Sequence, residues 1–206
     1  MPQLEFWYEF ASTYSYLSAM RIEELAAKRG IGVEWKPFLL GPIFAAQGWR
    51  DTPFHLYPRK GLYMVRDMER LCAARGLPFK LSQRFPQNGL NAARLALIGA
   101  KEGWAPAFTR EVYVRQFRDA ADISDKDVLA EALRAVGQDP GDLLARIQDP
   151  SVKEALKLQT ETAATFGVFG APTFITEDNE LFWGDDRLEQ AVDWAAGRKP
   201  RAAIPA

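Results

Sequence analysis

An α/β fold interrupted by a large all-helical insertion is predicted for this chain of 206 residues on three observations. A strand, a helix and a strand are patterned into residues 4–38. Helical patterns alone fill about the next hundred residues, and two short strands return only near residue 173. The sheet must therefore be assembled from the two ends of the chain.

The elements follow in order. Leu4, Phe6, Tyr8 and Phe10 alternate with Glu5, Trp7 and Glu9, a period of two in β-prone composition. Ser12 then stands as a helix N-cap, and Tyr14, Leu17, Ser18, Ile22, Leu25 and Ala26 lie along one side of a helix expected to stop at Gly30. Ile31, Val33 and Trp35 alternate as a second strand, which makes a βαβ unit with a parallel pair. From Leu39 to Arg59 the glycines and prolines predict an irregular segment, long enough to be a binding loop.

Helices are predicted from Lys60 to Arg75, from Gly89 to Glu102 behind Asn88 as cap, and from Ala105 to Arg118. Ser124 is expected to cap a helix that ends near Gly137, and Asp149-Pro150 to open one that ends near Gly167. Thr173-Phe174-Ile175 and Leu181-Phe182-Trp183 flank the turn Glu177-Asp178-Asn179 as a hairpin. Asp185 or Asp186 then caps a last helix to Gly197, and the tail from Arg198 is expected to fray. Without the helical block, this order leaves a thioredoxin-like sheet. Residues 1–59 and 160–206 are assigned to that domain and 60–159 to the insertion.

Composition narrows the function. With 26 Lys plus Arg against 27 Asp plus Glu, the net charge of −1 offers no attraction to nucleic acid or an anionic membrane. No apolar run approaches the roughly 20 residues that span a bilayer. The start Met1-Pro2-Gln3-Leu4-Glu5 has no basic segment leading an apolar stretch, so a cytoplasmic location is expected. One cysteine, Cys72, and one histidine, His55, exclude an intrachain disulfide, a Cys-x-x-Cys pair and a Cys/His zinc cluster. Cys72 shares a helical stripe with Val65 and Met68 and reads as core, and Arg66, Asp67, Glu69 and Arg70 read as a solvated face. His55 has no second histidine or nearby cysteine with which to act as a ligand or base.

Three segments carry the chemistry that remains. Ser12 sits where the first strand becomes the first helix, either as a simple N-cap or facing an anion above the helix-start amides. Ala171-Pro172 directly precedes a strand; a cis peptide is expected there, turning the Ala171 N–H and C=O toward the Ser12 helix, free to pair with an extended peptide. Asp185 and Asp186 read either as capping acids or as a carboxylate site for an α-amino-acid head group.

Together, Ser12-Thr13-Tyr14-Ser15-Tyr16-Leu17, Gly167 to Phe174 and Trp183-Gly184-Asp185-Asp186-Arg187-Leu188 resemble the 2-hydroxychromene-2-carboxylate isomerases. These are relatives of kappa-class glutathione transferases and DsbA-like proteins, and the likeness extends over nearly the whole chain. It implies a DsbA-like thioredoxin fold, a glutathione cofactor whose sulfur meets Ser12, and pairing of the glutathione cysteinyl backbone at Ala171-Pro172. Trp183, Gly184, Asp185 and Asp186 are implied to line the γ-glutamyl end. Lys60 aligns with a basic position of the family; it reads equally as a solvated lysine or as a partner for a glutathione or substrate carboxylate. Asn88 reads as a cap or as part of the cleft.

The implied reaction interconverts 2-hydroxychromene-2-carboxylate and trans-o-hydroxybenzylidenepyruvate, or acts on a related aromatic or unsaturated pyruvate. The implied assembly is a homodimer. A kappa-type transferase or peroxidase and a redox-silent thioredoxin-like binding protein stand as alternatives. The chain departs from the family in having Thr13 where a proline is usual, and in lacking the asparagine and second proline common around Asp51-Thr52-Pro53-Phe54.

Overall fold

The computed structural model describes residues 1–49, 51 and 53–199, apart from the side chains of Pro53 and His55. The side chain of His55 and the tail beyond residue 199 therefore lie outside the described residues. The sheet comprises β1 (Gln3–Tyr8), β2 (Gly32–Pro37), β3 (Thr173–Thr176) and β4 (Leu181–Trp183), in the order β2-β1-β3-β4. β1 runs parallel to β2, with Phe6 opposite Trp35, and antiparallel to β3, with Phe6 opposite Phe174. β3 and β4 form the expected hairpin. Strands from the two ends of the chain thus share one sheet, the fold read from the sequence.

Both faces of that sheet are covered. Leu4, Phe6 and Tyr8 enter the main core, where Phe6 stacks on Tyr8 at 5.0 Å and on Phe174 at 5.5 Å. Trp7, placed by the alternation on the polar side, is buried on the opposite face with Phe38, Ile43, Val168 and Ile175. A period of two shows that the faces differ, not that one is wet.

Between β2 and β3 lie α3 (Leu40–Ala46), α4 (Pro53–Leu56), α5 (Pro58–Ala74), α6 (Leu90–Glu102), α7 (Ala105–Phe117), α8 (Lys126–Ala135), α9 (Pro140–Arg146) and α10 (Pro150–Thr165). The expected limits of the insertion, 60 and 159, fall inside α5 and α10. Among the described residues no helix is long and apolar enough to cross a membrane.

Several boundaries differ from the sequence reading. The first helix is two: α1 (Thr13–Ala19) closes when the Arg21 N–H bonds back to Ser18 O at 3.1 Å, and α2 (Ile22–Ala27) follows. The stretch from 39 to 59, expected to be irregular, holds α3 and α4. Pro42 and Pro53 stand in first turns, where a missing N–H costs nothing, so they admit helices instead of breaking them. α8 is capped by Asp125, whose side chain accepts the Asp127 N–H at 2.9 Å, whereas Ser124 bonds to Asp122.

α9 went unread although Asp139-Pro140 repeats the Asp-Pro pattern seen at 149–150; the Asp139 carboxylate accepts the Gly141 N–H at 2.9 Å. After β4 a 3-10 turn, Asp185–Arg187, precedes α11 (Leu188–Ala195), and its N-cap is Gly184.

Candidate active site

Ser12 leaves β1 in an extended conformation and caps α1, its Oγ accepting the Ser15 N–H at 3.1 Å. The same hydroxyl donates to the Ala171 carbonyl at 2.9 Å, joining segments 159 positions apart. The Ala171-Pro172 peptide is cis, as expected. Its surroundings are fixed by the Thr173 hydroxyl, which donates to Gly170 O at 2.9 Å, and by the Gly184 N–H, which donates to Pro172 O at 2.9 Å. The expectation of a free Ala171 C=O is thus corrected: Ser12 occupies it. Among the described residues the Ala171 N–H has no partner. α1 is only seven residues long, so its contribution to an anion rests on local amides and not on a long helix dipole.

Two adjoining cavities open on this junction, one of about 720 Å³ and one of about 500 Å³. They share Tyr14, Phe54, Lys60, Met64, Ala171 and Trp183. The larger adds Ser12, Asn88 and an aromatic wall that includes Phe44, Trp49 and Phe85. The smaller adds Pro172, Gly184, Asp185 and Asp186. All the site residues singled out from sequence therefore line one or both cavities, including Lys60 near the start of α5.

Individual roles diverge from the sequence reading. Asn88 turns its Oδ1 to the Leu90 N–H at 3.0 Å, a capping contact, while the formal N-cap of α6 is Gly89. Trp183 is half exposed, packs on Phe169 at 4.9 Å and leans over Gly170, where any Cβ would collide with the indole. Gly184 has φ +105°, and a Cβ there would meet Asp186 Oδ1 at 2.6 Å, so the turn into the smaller cavity needs glycine.

Asp185 caps nothing. It is buried, accepting the Ser18 hydroxyl at 2.9 Å, Arg21 at 3.2 Å and Arg75 at 2.7 Å. Its carboxylate is committed to holding the turn after β4 against α1. Asp186 is exposed, and among the described residues its carboxylate pairs with Arg187 at 3.4 Å.

Three side chains escaped the sequence reading. Tyr14, read as part of a buried stripe, lines both cavities and donates its hydroxyl to Asp67 at 2.9 Å; burial and that carboxylate push its pKa upward. Asp67, read as solvated, also faces the smaller cavity, with Arg70 at 2.9 Å.

Glu9, read as a polar residue of the strand pattern, is buried in the wall of the larger cavity. Its Oε2 accepts the Ala11 N–H at 2.8 Å, and loss of water raises its pKa to about 7 against the partial opposition of the Ala11 and Ser12 amides. The available clue was an acid three positions before Ser12, at the strand end. Cys72 is core as read, its thiol pushed up to about 11 by burial.

The DSBA-like thioredoxin domain matches residues 3–194. The 2-hydroxychromene-2-carboxylate isomerase of Sphingobium xenophagum is 28% identical over 90% of this chain and 94% of its own length. Glutathione S-transferase kappa 1 of Homo sapiens is also 28% identical, over 90% of this chain and 87% of its own. The solved structure of a 2-hydroxychromene-2-carboxylate isomerase superposes with a TM-score of 0.85 at 23% identity, covering 95% of each chain.

Proposed function

The chain belongs to the DSBA-like thioredoxin domain family, and from that premise we propose that it is a glutathione-dependent isomerase of aromatic unsaturated pyruvates, of the 2-hydroxychromene-2-carboxylate type. The observation that carries the proposal is the hydroxyl of Ser12, held 2.9 Å from the Ala171 carbonyl where the two cavities meet. The fit to glutathione rests on the same junction. Ala171 has an N–H without a partner among the described residues, and its C=O is held by a hydroxyl that can be exchanged for a peptide N–H. The smaller cavity offers carboxylates and Arg75 to a zwitterionic head group, and the larger offers aromatic walls to an aryl substrate.

When bound, glutathione supplies a thiolate that adds reversibly to an unsaturated ketone and lets its former double bond rotate. Ser12 prepares that thiolate. Once a peptide N–H takes over Ala171 O, the hydroxyl is free to donate to the sulfur. A hydrogen bond to a charged group contributes about 1.5–3 kcal/mol, and one pKa unit is about 1.4 kcal/mol. A thiol near its ordinary value of about 8.5 therefore falls by one to two units, enough to make the thiolate a large fraction at neutral pH. Asp186 and the Gly184 turn orient the γ-glutamyl end. Asp185, part of the smaller cavity's lining, positions the turn through its bonds to Ser18, Arg21 and Arg75. Lys60, shared by both cavities, is the cation available to a substrate carboxylate.

The likeness to a kappa-class transferase favours a second reading in which glutathione is consumed. Isomerisation of 2-hydroxychromene-2-carboxylate, followed together with free thiol, separates the two. The proposal expects turnover that requires glutathione and leaves the thiol count constant. Thiol loss matching product favours the transferase, and no turnover of this substrate or of a thiol-accepting aryl electrophile contradicts both.

A further inference from the structure

We propose that Glu9 is the proton carrier of this site: its carboxylate takes the thiol proton when glutathione binds and holds it while the sulfur is ionised. The inference rests on the glutathione reading above and adds a residue to it. Geometry supports it first. Glu9 lies in the wall of the cavity that contains Ser12, three positions before it, and its backbone carbonyl accepts the Ser12 N–H at 3.0 Å, so the carboxyl and the hydroxyl are anchored to one turn. Oε2 accepts the Ala11 amide, and the Ser12 amide also acts on the carboxyl. Oε1 faces the start of α6, where a Cβ added at Gly89 would stand 3.5 Å away, at ordinary contact distance.

The electrostatics follow from the neighbours. From α7 Tyr113 donates to the Glu9 carbonyl at 2.8 Å, from β1 Tyr8 is the preceding residue, Gly89 stands at the start of α6, the start of α1 supplies the amides of Ala11 and Ser12, and Lys60 of α5 lines the same cavity. Both tyrosine hydroxyls stay protonated, because burial raises them. Among the described residues no ion pair involves Glu9. A thiolate formed at Ser12 and an ionised Glu9 would be two anions on the wall of one cavity, whose described lining includes the cation Lys60. Two such groups share one proton.

Burial has already raised the carboxyl to about 7, close to a thiol lowered by Ser12, so the transfer is nearly balanced. The step conserves its parts: the S–H bond breaks, an O–H bond forms on Glu9, and the electron pair stays on sulfur. When glutathione leaves as a thiol, the proton returns.

The test is calorimetric titration of the full chain with glutathione in buffers of different ionisation enthalpy, at a pH about one unit above the Glu9 midpoint. Thiolate is read in parallel by its ultraviolet absorbance, and S-methylglutathione serves as the ligand without a thiol. In the unaltered protein, thiolate is expected to form with well under half a proton released per thiolate. In Glu9→Gln, each thiolate formed is expected to release about one proton, or thiolate is lost.

Release of about one proton per thiolate by the unaltered protein overturns the proposal, as does binding without thiolate. An unchanged stoichiometry in Glu9→Gln also overturns it. The measurement on the unaltered protein decides even if the variant fails to fold. Absence of any binding heat with either ligand instead sinks the glutathione reading.

Discussion

Two buried carboxylates flank the same cleft and have opposite fates. Asp185, in the turn after β4, accepts from Ser18 and Arg21 on one oxygen and from Arg75 on the other. Glu9, just after β1, has backbone amides on its carboxyl and no ion pair among the described residues. Equal burial therefore produces a structural clamp in one place and a titrating group in the other. Partners decide which, because an ion out of water is tolerated only when its charge is matched.

Removing the clamp is the largest way to break this comparison. Asp185→Ala leaves two guanidinium groups facing each other across the turn without their shared anion, and a cost of about 3–5 kcal/mol is expected in denaturant unfolding. A loss below about 1 kcal/mol would show that the cluster is no clamp.

The complementary change is Glu9→Gln, which is expected to stabilise the protein at high pH. The folded-state value, about 7, lies above the ordinary 4.5, so the folded protein holds more protons than the unfolded chain between those values. Stability tied to Glu9 is complete below the ordinary value and lost as pH rises through about 7. A rise from 4.5 to about 7, at about 1.4 kcal/mol per pH unit, makes that loss about 3.5 kcal/mol. Unfolding midpoints of the variant should match those of the unaltered protein in acid and exceed them above pH 7; equal midpoints at both ends would place Glu9 with the fully satisfied carboxylates.

Removal of Ser12, in the same cavity wall as Glu9, touches charge on the ligand and not on the protein. Ser12→Ala is expected to lower kcat roughly 10- to 100-fold with little change in glutathione affinity, in steady-state assays beside binding titrations. Loss of affinity with kcat intact would assign the hydroxyl to binding. The smallest effect is expected at Asp186, exposed beside the buried Asp185. Asp186→Ala should weaken glutathione roughly a few-fold while sparing kcat.

Legibility followed the same division. The sheet was readable because β1, β2 and the β3–β4 hairpin declare themselves by local alternation and turn residues, and the Asp-Pro opening of α10 is a local code as well. The break at Met20-Arg21 was hidden: no proline or glycine marks it, and the Arg21 side chain is held by Asp185 and Glu189, more than 160 positions away in sequence.

At the site, Ser12 and Ala171 could be named because their spacing to helix and strand starts is local. The bond between them, which occupies the carbonyl expected to be free, is a tertiary fact. Asp185 and Glu9 were misjudged for one reason. A sequence shows that a residue is acidic, whereas the guanidinium groups that neutralise one acid and leave the other unpaired arrive from the N-cap of α2 and the C-cap of α5.

The claim on which the rest depends is that the Ser12 hydroxyl ionises the bound thiol. It is tested most directly by thiolate absorbance of glutathione bound to the unaltered protein and to Ser12→Ala, each followed against pH. The account predicts a midpoint about one to two units higher in Ser12→Ala, with binding retained. An unchanged midpoint, or no glutathione binding by the unaltered protein at millimolar concentration, would contradict it.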